Sequence, residues 1–465
     1  MAEPLWTSED IAAATGGAPA GPPFTVAGVS IDSRDIAEDD LFVALAGVRD
    51  GHEFVAAALT AGAAGSLVSQ QAHGPQVVVD DTLQALERLG AAARLRAVHA
   101  RRGAVTGSVG KTSVTQAIRA GLARAGRSHG SVKSYNNHIG VPLTLARMPT
   151  ATERAIFEIG MNHAGEIRPL TRMVQPHAVV VTTIAPVHTE NFADGEAGVA
   201  RAKAEIFEGL SAGGIAVLNA DDKWFSFLAG EARVNGARIV TFGAGPQCDA
   251  RLTGFALDGP GSRVSAVLHG QPIDISLRQR GAHWGLMSLA ALLMMQALDV
   301  SLDAGLAGLA EFEPLAGRGA ERQVRLAGGA FTLVDEAYNA NPLSVAAALR
   351  TLGLTPAKGR RIVALTDMLE LGPEAERLHA GLAPEIEAAK VDLVFCAGPL
   401  MKTLWAALPP TRQGAYAETA GELIAPLTRA VEPGDVVMVK GSNASNAKAL
   451  AAALTKLDSR SGEGP

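Results

Sequence analysis

Short runs of apolar residues alternate along most of the chain with longer segments that carry apolar residues at helical spacing. These runs comprise residues 155–159, 178–183, 215–218, 331–334, 362–365, 393–396 and 436–439. Apolar runs of this length are typical of strands that are buried on both faces. Because the runs alternate with helical segments, the pattern predicts an α/β fold with mainly parallel sheet and helices on both faces.

The same pattern divides the chain into three sections. Residues 1–82 mix short β-like runs with alanine-rich helical segments. Residues 83–313 begin with a helical segment and contain a strand–loop–helix unit, and residues 314–465 have a strand–helix alternation of their own. A chain of 465 residues is long enough for about three domains, so we predict one domain for each section.

Charge and cysteine content narrow the class of protein. The formal net charge is −6, which gives no support for a nucleic-acid partner, because binding a phosphate backbone usually needs a basic face. The two cysteines, Cys248 and Cys396, are far apart, which excludes a disulfide framework and fits a reducing compartment. The N-terminus shows no signal peptide, and the longest apolar stretch, around residues 289–298, is about half the length that crosses a bilayer. We expect a soluble cytoplasmic protein without stable membrane insertion.

A glycine-rich loop joins a short strand to a helix near residues 104–113. Gly107 and Gly110 let backbone N–H groups turn toward an anion, and the N-terminus of the following helix adds its positive dipole. Lys111 would neutralise the β- and γ-phosphates, and the Thr112 hydroxyl would coordinate Mg²⁺.

The spacing of the loop differs from the general Walker pattern: two residues separate the glycines, where that pattern has four. On this loop alone, an ATPase or a GTPase is as good an interpretation as a ligase. The predicted nucleotide-binding residues of the loop are Gly107, Ser108, Val109, Gly110, Lys111, Thr112 and Ser113.

The compact loop Thr106-Gly-Ser-Val-Gly-Lys-Thr112 resembles that of the Mur ligases and of the related folylpolyglutamate synthases. Further strings follow in the order of the Mur ligases across nearly the whole chain. They are Asp32-Ser-Arg34, Asp40-Leu-Phe-Val-Ala-Leu-Ala-Gly47, Asp50-Gly-His-Glu-Phe54, Ser134-Tyr-Asn-Asn137, Glu158-Ile-Gly-Met-Asn162, Ala202-Lys-Ala-Glu-Ile-Phe207, Asp335-Glu-Ala-Tyr-Asn-Ala-Asn-Pro342 and Asp367-Met-Leu-Glu-Leu-Gly372. The last two are most similar to the members that add D-alanyl-D-alanine. The chain is therefore identified as a member of the Mur ligase family.

The resemblance implies an ATP- and Mg²⁺-dependent ligase that joins D-alanyl-D-alanine to UDP-N-acetylmuramoyl-tripeptide in peptidoglycan synthesis. In this family a substrate carboxylate attacks the γ-phosphate of ATP, and an amine then displaces phosphate from the acyl phosphate. The chemistry requires cations against crowded phosphates more than a side-chain nucleophile. The three sections would be an N-terminal UDP-substrate domain, a central P-loop ATP-binding domain and a C-terminal Rossmann-like domain that closes the site, in a monomer.

Five further positions would serve the metal and the reacting groups. Glu158 ends an apolar run at the carboxyl edge of a strand, which favours a Mg²⁺ ligand over an ordinary exposed carboxylate. By resemblance His188 binds a second Mg²⁺, although a loop histidine is the better interpretation from the sequence alone. A lone helical lysine is usually solvated, but the resemblance implies that Lys203 is carbamylated by CO₂ and supplies an anionic oxygen. Asn136 and Asn137 would orient anions, with turn-forming asparagines as the alternative. The predicted catalytic residues are Lys111, Asn137, His188 and Lys203, and the predicted metal ligands are Thr112, Glu158, His188 and Lys203.

The remaining predicted contacts follow from the resemblance. Arg318 would reach phosphate, Asp335 would contact the nucleotide, and His283 would keep its place at the nucleotide site. Asn341-Pro342 also suits a turn at a strand end. The predicted substrate-binding residues are Ser33, Arg34, Gly47, Asp50, His52, Asn136, Asn137, Tyr338, Asn339, Asn341, Asp367 and Glu370.

Two segments depart from the family pattern. The string His283-Trp-Gly-Leu-Met-Ser-Leu-Ala290 lacks both asparagines of the family's His-Asn-x-x-Asn segment, which leaves the adenine contacts open. Lys440-Gly-Ser-Asn443 has asparagine where the family has arginine. The alternatives are a related ligase that adds a single amino acid, a folylpolyglutamate synthase, a P-loop NTPase without ligase activity, or a nucleotide-binding scaffold without turnover.

Overall fold

Each of the three predicted sections of the chain contains a β-sheet of its own. The computed structural model describes residues 3–132, 134–187 and 189–458. The sheets have five, nine and six strands, and a separate pair of short strands lies near the N-terminus. All three sheets are largely parallel, so the predicted α/β fold is confirmed. Among the described residues no helix is both long enough and apolar enough to cross a membrane.

The N-terminal part is built on a five-stranded sheet in the order β2-β7-β6-β5-β4, in which only β2 is antiparallel to its neighbour. Its elements are β1 (Trp6–Thr7), α1 (Ser8–Thr15), β2 (Ala18–Ala20), β3 (Thr25–Val26), β4 (Gly28–Ser30), β5 (Asp40–Val43), a 3-10 helix (Gly51–Phe54), α2 (Val55–Thr60), β6 (Gly65–Val68) and β7 (Gln76–Val78). Because β4, β5 and β6 are parallel, the loops that follow them meet at one edge of the sheet.

The central part is a nine-stranded sheet in the order β16-β15-β14-β13-β12-β11-β8-β10-β9. Its elements are α3 (Thr82–Arg96), β8 (Arg101–Thr106), α4 (Lys111–Ala125), β9 (Ser128–Gly130), α5 (Gly140–Ala146), β10 (Arg154–Glu158), α6 (Ile167–Val174), β11 (Ala178–Val181), α7 (Glu196–Ala204), β12 (Ile215–Asn219), α8 (Phe225–Val234), β13 (Arg238–Gly243), β14 (Ala250–Asp258), β15 (Gly261–Leu268), β16 (Gln271–Leu277), α9 (Trp284–Ala297) and α10 (Leu302–Glu311), with 3-10 helices at Thr189–Asn191 and Glu205–Gly209. Strands β14 to β16 form an antiparallel meander at the edge of the sheet. The apolar runs did not predict this meander, because β14 is largely half-exposed and β15 and β16 interrupt their buried positions with exposed or half-buried ones.

The C-terminal part has a six-stranded sheet in the order β17-β18-β22-β19-β20-β21, in which only β17 is antiparallel. Its elements are β17 (Ala320–Leu326), β18 (Gly329–Glu336), α11 (Pro342–Leu354), β19 (Arg361–Thr366), α12 (Ala375–Ala380), α13 (Ala383–Ala388), β20 (Leu393–Ala397), α14 (Met401–Ala407), β21 (Gln413–Ala417), α15 (Ala420–Ala430), β22 (Val436–Lys440) and α16 (Ala447–Thr455), with 3-10 helices at Gly372–Glu374, Pro410–Arg412 and Asn443–Ser445.

The first helix of the central part packs in one core with the N-terminal part. Leu86 and Leu89 of α3 pack in one apolar cluster with Trp6 of the N-terminal part and with Leu143 of α5. The indole N–H of Trp6 also donates to the carbonyl oxygen of Ala146, at 2.9 Å. Each large sheet falls inside one predicted range, and the boundaries 1–82, 83–313 and 314–465 themselves stay a prediction.

The helix that starts at the phosphate loop is held by two glycines. A side chain on Gly308 of α10 would collide with the backbone of Gly121 in α4, so the two helices touch backbone to backbone. A side chain on Gly121 would in turn collide with the sulfur of Met295. This contact fixes the position of α4 and therefore of the loop at its N-terminus.

We expect Gly308→Ala to destabilise the protein by about 1–3 kcal/mol, because the added methyl group has to separate the backbones of two packed helices. Gly230→Ala is the matched control, since a side chain on this helical glycine meets nothing within 4 Å, and it is expected to be neutral or stabilising by up to about 1 kcal/mol. Thermal and urea unfolding of the full chain measure both changes. Equal midpoints for the two variants would contradict the packing argument.

Candidate active site

The phosphate loop follows β8 directly and ends at the first residue of α4. Gly107 and Gly110 have φ of +141° and +86°, values that glycine adopts readily and other residues rarely do. Side chains at these positions would collide with Thr182 and with Met287, respectively. Lys111 bends back so that its ammonium donates to the carbonyl oxygen of Gly107, at 2.8 Å. Gly110, at the N-cap, offers no side-chain cap to the N–H groups of α4, and these groups suit an anion.

The end of β11 holds the flank of this loop. The Ser108 N–H donates to the Thr183 carbonyl at 2.8 Å, and the Thr182 hydroxyl donates to the Val109 carbonyl at 2.6 Å. Asp222 in turn accepts from the Thr183 hydroxyl and from the Ile184 N–H, at 2.9 and 2.7 Å. The sequence interpretation included Thr182 in a string that resembles the Mur ligases but gave it no role, and it did not identify Asp222. The feature that could have identified these two residues is their position just beyond the carboxyl ends of parallel strands.

Glu158 ends β10 beside the loop and is buried. One of its oxygens accepts from the Asn136 amide at 2.7 Å, and its other oxygen, Oε2, has no hydrogen-bond partner among the described residues. A buried unpaired polar atom costs about 1–3 kcal/mol, and more when it is charged. The residues Glu158 and Thr112 therefore fit a hard divalent cation, which would pair with this oxygen. No group of three or more His, Cys, Asp or Glu side chains within residues 3–132, 134–187 and 189–458 could hold a metal alone. The predicted ligand His188 lies outside the described residues.

Lys203 is buried near the end of α7 and is only 1% exposed. Burial lowers its pKa well below the usual value, and the nearby charge of Lys111 lowers it further, against the opposing effect of Glu158. Burial also lowers the pKa of Lys111. The alternative of a solvated helix-face lysine is therefore wrong for Lys203, because its helix packs this face against the sheet.

Two residues of the C-terminal part reach across to the phosphate loop. The guanidinium of Arg318 donates to the Thr112 hydroxyl at 3.0 Å and lies 3.9 Å from the centre of the Tyr338 ring. The Tyr338 hydroxyl donates to Ser134, whose oxygen lies 3.1 Å from the Thr112 hydroxyl. The Asp335 carboxylate accepts from the N–H groups of Gly317 and Ala337, so it holds the loop that carries Arg318.

A cavity of about 620 Å³ lies between the central and C-terminal parts. The predicted residues that line it are Ser108, Val109, Gly110, Lys111, Thr112, Ser113, Asn136, Glu158, His283, Arg318, Tyr338, Asn339 and Asn341. Burial lowers the pKa of His283, and its Nδ1 is buried without a partner among the described residues. The residues predicted to bind phosphate and metal thus share one space with Arg318 and Tyr338 of the C-terminal part.

The comparison with known proteins agrees with this arrangement. The Mur ligase middle domain matches residues 105–295, and the Mur ligase, glutamate ligase domain, matches residues 322–443. The UDP-N-acetylmuramoyl-tripeptide–D-alanyl-D-alanine ligase of Escherichia coli (strain K12) is 35% identical over 382 residues, which are 81% of this chain and 82% of the relative. The ligase of the same name from Rickettsia prowazekii (strain Madrid E) is 30% identical over 89% of this chain and 92% of its own length. The chain belongs to the Mur ligase family.

Solved structures of related proteins share the fold of this Mur ligase. The crystal structure of MurF from Acinetobacter baumannii is 27% identical, covers 98% of this chain and 99% of that chain, and has a TM-score of 0.83. The MurF ligase of Thermotoga maritima, solved in complex with ADP, has the same fold, with 22% identity and a TM-score of 0.76 over 93% of this chain and 98% of that chain.

Several predicted site residues of this Mur ligase lie away from the cavity lining. Asn137 is exposed, and its amide oxygen accepts from the N–H groups of residues 139 and 140. Asp367 is buried and accepts from the Met401 N–H at 2.9 Å, and burial raises its pKa. Glu370 is exposed, with φ of +65°. Lys203 and Asp335 contribute no lining atoms. Roles for these five residues stay predictions.

Asn341 lines the cavity but does not form the expected turn. It caps α11, where its side chain accepts from the Ser344 N–H at 2.9 Å and Pro342 takes the first helical position. The turn prediction was wrong because Asn-Pro suits a helix start as well as a turn. Beside it, the buried ammonium of Lys440 donates to Glu336 and to the Asn339 carbonyl, at 3.2 and 3.1 Å. Asn339 is thereby tied to the end of β22.

The predicted N-terminal substrate residues share the loop edge of the five-stranded sheet. Ser33 and Arg34 follow β4, and Arg34 donates to both carboxylate oxygens of Asp32. Gly47, Asp50 and His52 follow β5. The imidazole of His52 lies 2.6 Å from Asp50 through Nδ1 and accepts from the Ser69 N–H through Nε2. The edge is therefore preorganised by short-range bonds, and its contact with substrate stays a prediction.

We expect Arg318→Lys to lower turnover about 10- to 100-fold, because lysine keeps the charge but loses the stacking on Tyr338 and the directed guanidinium bonds to phosphate. The exposed Arg322→Lys is the matched control and should leave turnover unchanged. Steady-state kinetics with varied ATP measure the effect. Equal turnover in the two variants would contradict the role given to Arg318.

Proposed function

We propose that this Mur ligase joins D-alanyl-D-alanine to UDP-N-acetylmuramoyl-tripeptide with hydrolysis of ATP to ADP and phosphate. The names of the curated relatives support the choice of substrates, since sequence similarity extends over more than four fifths of both chains. The cavity supports the chemistry, since it combines a phosphate loop with an unpaired carboxylate oxygen. The predicted ranges 1–82, 83–313 and 314–465 would be the UDP-substrate, ATP-binding and closing domains. A monomer in the cytoplasm is part of the same proposal.

The observation that carries the proposal is the bridge between the parts, made by Arg318 to Thr112 and by Tyr338 to Ser134. An acyl phosphate hydrolyses readily, so a ligase needs a site that excludes water while the second substrate attacks. A bridge from the C-terminal part onto the phosphate loop provides such a closure. A phosphate-binding switch would not need it.

The reaction proceeds in two steps, phosphoryl transfer followed by amide formation. In the first step a carboxylate oxygen of the tripeptide attacks the γ-phosphorus of ATP and forms the P–O bond of the acyl phosphate. The bond between the γ-phosphorus and the bridging oxygen to the β-phosphate breaks, which releases ADP. The dipeptide amine then attacks the acyl carbon, an amide bond forms, inorganic phosphate leaves and the amine loses a proton. Lys111 and Arg318 stabilise the negative charge of the transferred group, and the Asn136 amide holds the Glu158 carboxylate in place.

Thr112 and Glu158 would hold Mg²⁺, together with His188 and Lys203 in the role implied for them by the resemblance. The ion would offset the negative charge of the phosphates when it is bound. Lys203 is suited to carbamylation because its lowered pKa favours the neutral amine, which is the form that adds CO₂. The amine nitrogen bonds to the carbon of CO₂ and releases one proton, which leaves an anionic carbamate.

We expect phosphate release from Mg·ATP to depend on both UDP-N-acetylmuramoyl-tripeptide and D-alanyl-D-alanine, with a product heavier by the dipeptide less one water. The physical reason is that the acyl phosphate forms only on the tripeptide and is consumed only by the amine. Phosphate assays and mass spectrometry measure the two quantities. Release with nucleotide alone, or ligation only of a single amino acid, would contradict the proposal.

For Lys203, we expect a carbamate signal in the ¹³C NMR spectrum after equilibration with labelled bicarbonate. Lys203→Ala should lose this signal. Its turnover should fall about 100-fold or more, since an anionic group leaves the site. Short carboxylic acids should restore part of the turnover of this variant. Lys402→Ala, at an exposed position, is the control. An unchanged signal in Lys203→Ala would contradict the assignment.

A further inference from the structure

Two cations lie beside the ring of Tyr338 at the edge of the cavity. The guanidinium carbon of Arg318 is 3.9 Å from the centre of this ring, and the ammonium nitrogen of Lys448 is 5.2 Å from it. Both distances are within the range of cation–π contacts. Tyr338 lines the cavity, and its hydroxyl donates to Ser134 at 2.9 Å. The ring therefore connects the bridge over the phosphate loop to Lys448.

Neither of these cations forms an ion pair with an acidic side chain in the part of the chain that the structure describes. Arg318 donates to the Thr112 hydroxyl, and the Lys448 ammonium donates to the side-chain oxygen of Asn443 at 2.7 Å. Both acceptors are uncharged, so two positive charges lie beside one ring and repel each other. An anion that binds next to them relieves this repulsion. This edge of the cavity therefore favours an anionic ligand.

The other lysine of the same segment is already engaged. Lys440 is buried at the end of β22, and its ammonium donates to the Glu336 carboxylate and to the Asn339 carbonyl. Lys448 is exposed near the start of α16, and an ammonium has three donors, of which Asn443 takes one. Asn443 stands where the Mur ligases have arginine, and it holds a lysine instead. A cation that can bind a ligand is thus present at this point, on a different residue.

The length of the acceptor decides which anion Lys448 meets. Arg318 contacts the phosphate loop at Thr112, so the triphosphate is the anion nearest to it. Lys448 is separated from that loop by the Tyr338 side chain. The carboxylate of a dipeptide lies up to roughly 7 Å from its amine, and a tyrosine side chain spans a similar distance. An acceptor whose amine reaches an acyl phosphate beside Ser134 thus extends its carboxylate to Lys448.

We propose that Lys448 binds the C-terminal carboxylate of the dipeptide acceptor and so selects acceptors in which this group is free. The inference rests on the proposed function, since it needs an acceptor that is a dipeptide. Lys448 contacts the acceptor at the end opposite to the new amide bond, and its contact is the same before and during the reaction. Such a residue contributes to KM for the acceptor and leaves kcat unchanged.

The first test removes the charge and keeps most of the side-chain length, with Lys448→Met in the full chain. We expect KM for D-alanyl-D-alanine to rise about fivefold or more, because a charge-assisted bond is lost. The values of kcat, of KM for ATP and of KM for UDP-N-acetylmuramoyl-tripeptide should stay within about twofold of the wild type. Lys456→Met, at an exposed position just after the same helix, is the matched control and should change none of these values. A smaller rise for the dipeptide, or a rise for ATP or the tripeptide in its place, overturns the inference.

The second test removes the charge from the acceptor. D-alanyl-D-alaninamide has the same amine and methyl groups but no carboxylate, and we expect its kcat/KM in the wild type to be about fivefold or more below that of D-alanyl-D-alanine. Lys448→Met should reduce this preference by the same factor, which a merely structural role of the lysine would not do. Thermal unfolding checks that the variant folds. Equal kcat/KM for the two acceptors in the wild type overturns the inference without any variant, and so does a preference that Lys448→Met retains in full.

The two proposals fail in different ways. If the wild type does not join D-alanyl-D-alanine to the tripeptide, the proposed function fails together with the inference. If it ligates the free and the amidated dipeptide equally well, the proposed function stands and only the role of Lys448 is overturned.

Discussion

The active site depends on charges that are buried without a complete set of protein partners. The charges of Lys111 and Glu158 act on Lys203, and the charge of Glu158 also acts on Lys111. One carboxylate oxygen of Glu158 is unpaired among the described residues. Removing such groups from water costs several kcal/mol per ion unless other charges compensate. The close packing of the surrounding apolar strands stabilises the fold and so offsets this cost. A ligand that supplies the missing charges therefore gains affinity from groups that the protein already holds in place.

The parallel strands explain how residues far apart in the chain form this one site. Parallel strands bring their carboxyl ends to the same edge, so the loops after β8, β10 and β11 are neighbours although about 80 residues separate the first from the last. The C-terminal sheet supplies Arg318 and Tyr338 from the loops that flank its first two strands. The glycine contact between α4 and α10 holds the phosphate loop on this edge without any polar interaction.

Local chemistry made part of the site predictable from the sequence. The loop from Gly107 to Thr112 is contiguous, and Glu158 ends an apolar run, so each carries its signal within a few residues. Thr182 and Asp222 act through hydrogen bonds to other loops, which a linear pattern does not record. Asp335 was predicted as a nucleotide contact from the resemblance, but for the same reason its bonds to the N–H groups of Gly317 and Ala337 were not predictable. The edge meander β14 to β16 was missed because half-exposed strands lack continuous apolar runs. Asp367 was predicted near substrate from a resemblance between strings, which did not indicate that its carboxylate accepts from the Met401 N–H.

The hydroxyl of Thr112 has a further consequence for the order of events in the site. This oxygen accepts a hydrogen bond from Arg318 and lies beside Ser134. If Thr112 also binds Mg²⁺, as we propose, a divalent cation and a guanidinium would have to share one oxygen, and their repulsion at such a distance is strong. The metal and the arginine would then exclude each other from this position. With Mg²⁺ and nucleotide bound, Arg318 would turn toward the phosphate oxygens, while the Tyr338 hydroxyl could keep its bond to Ser134 and so hold the two parts together.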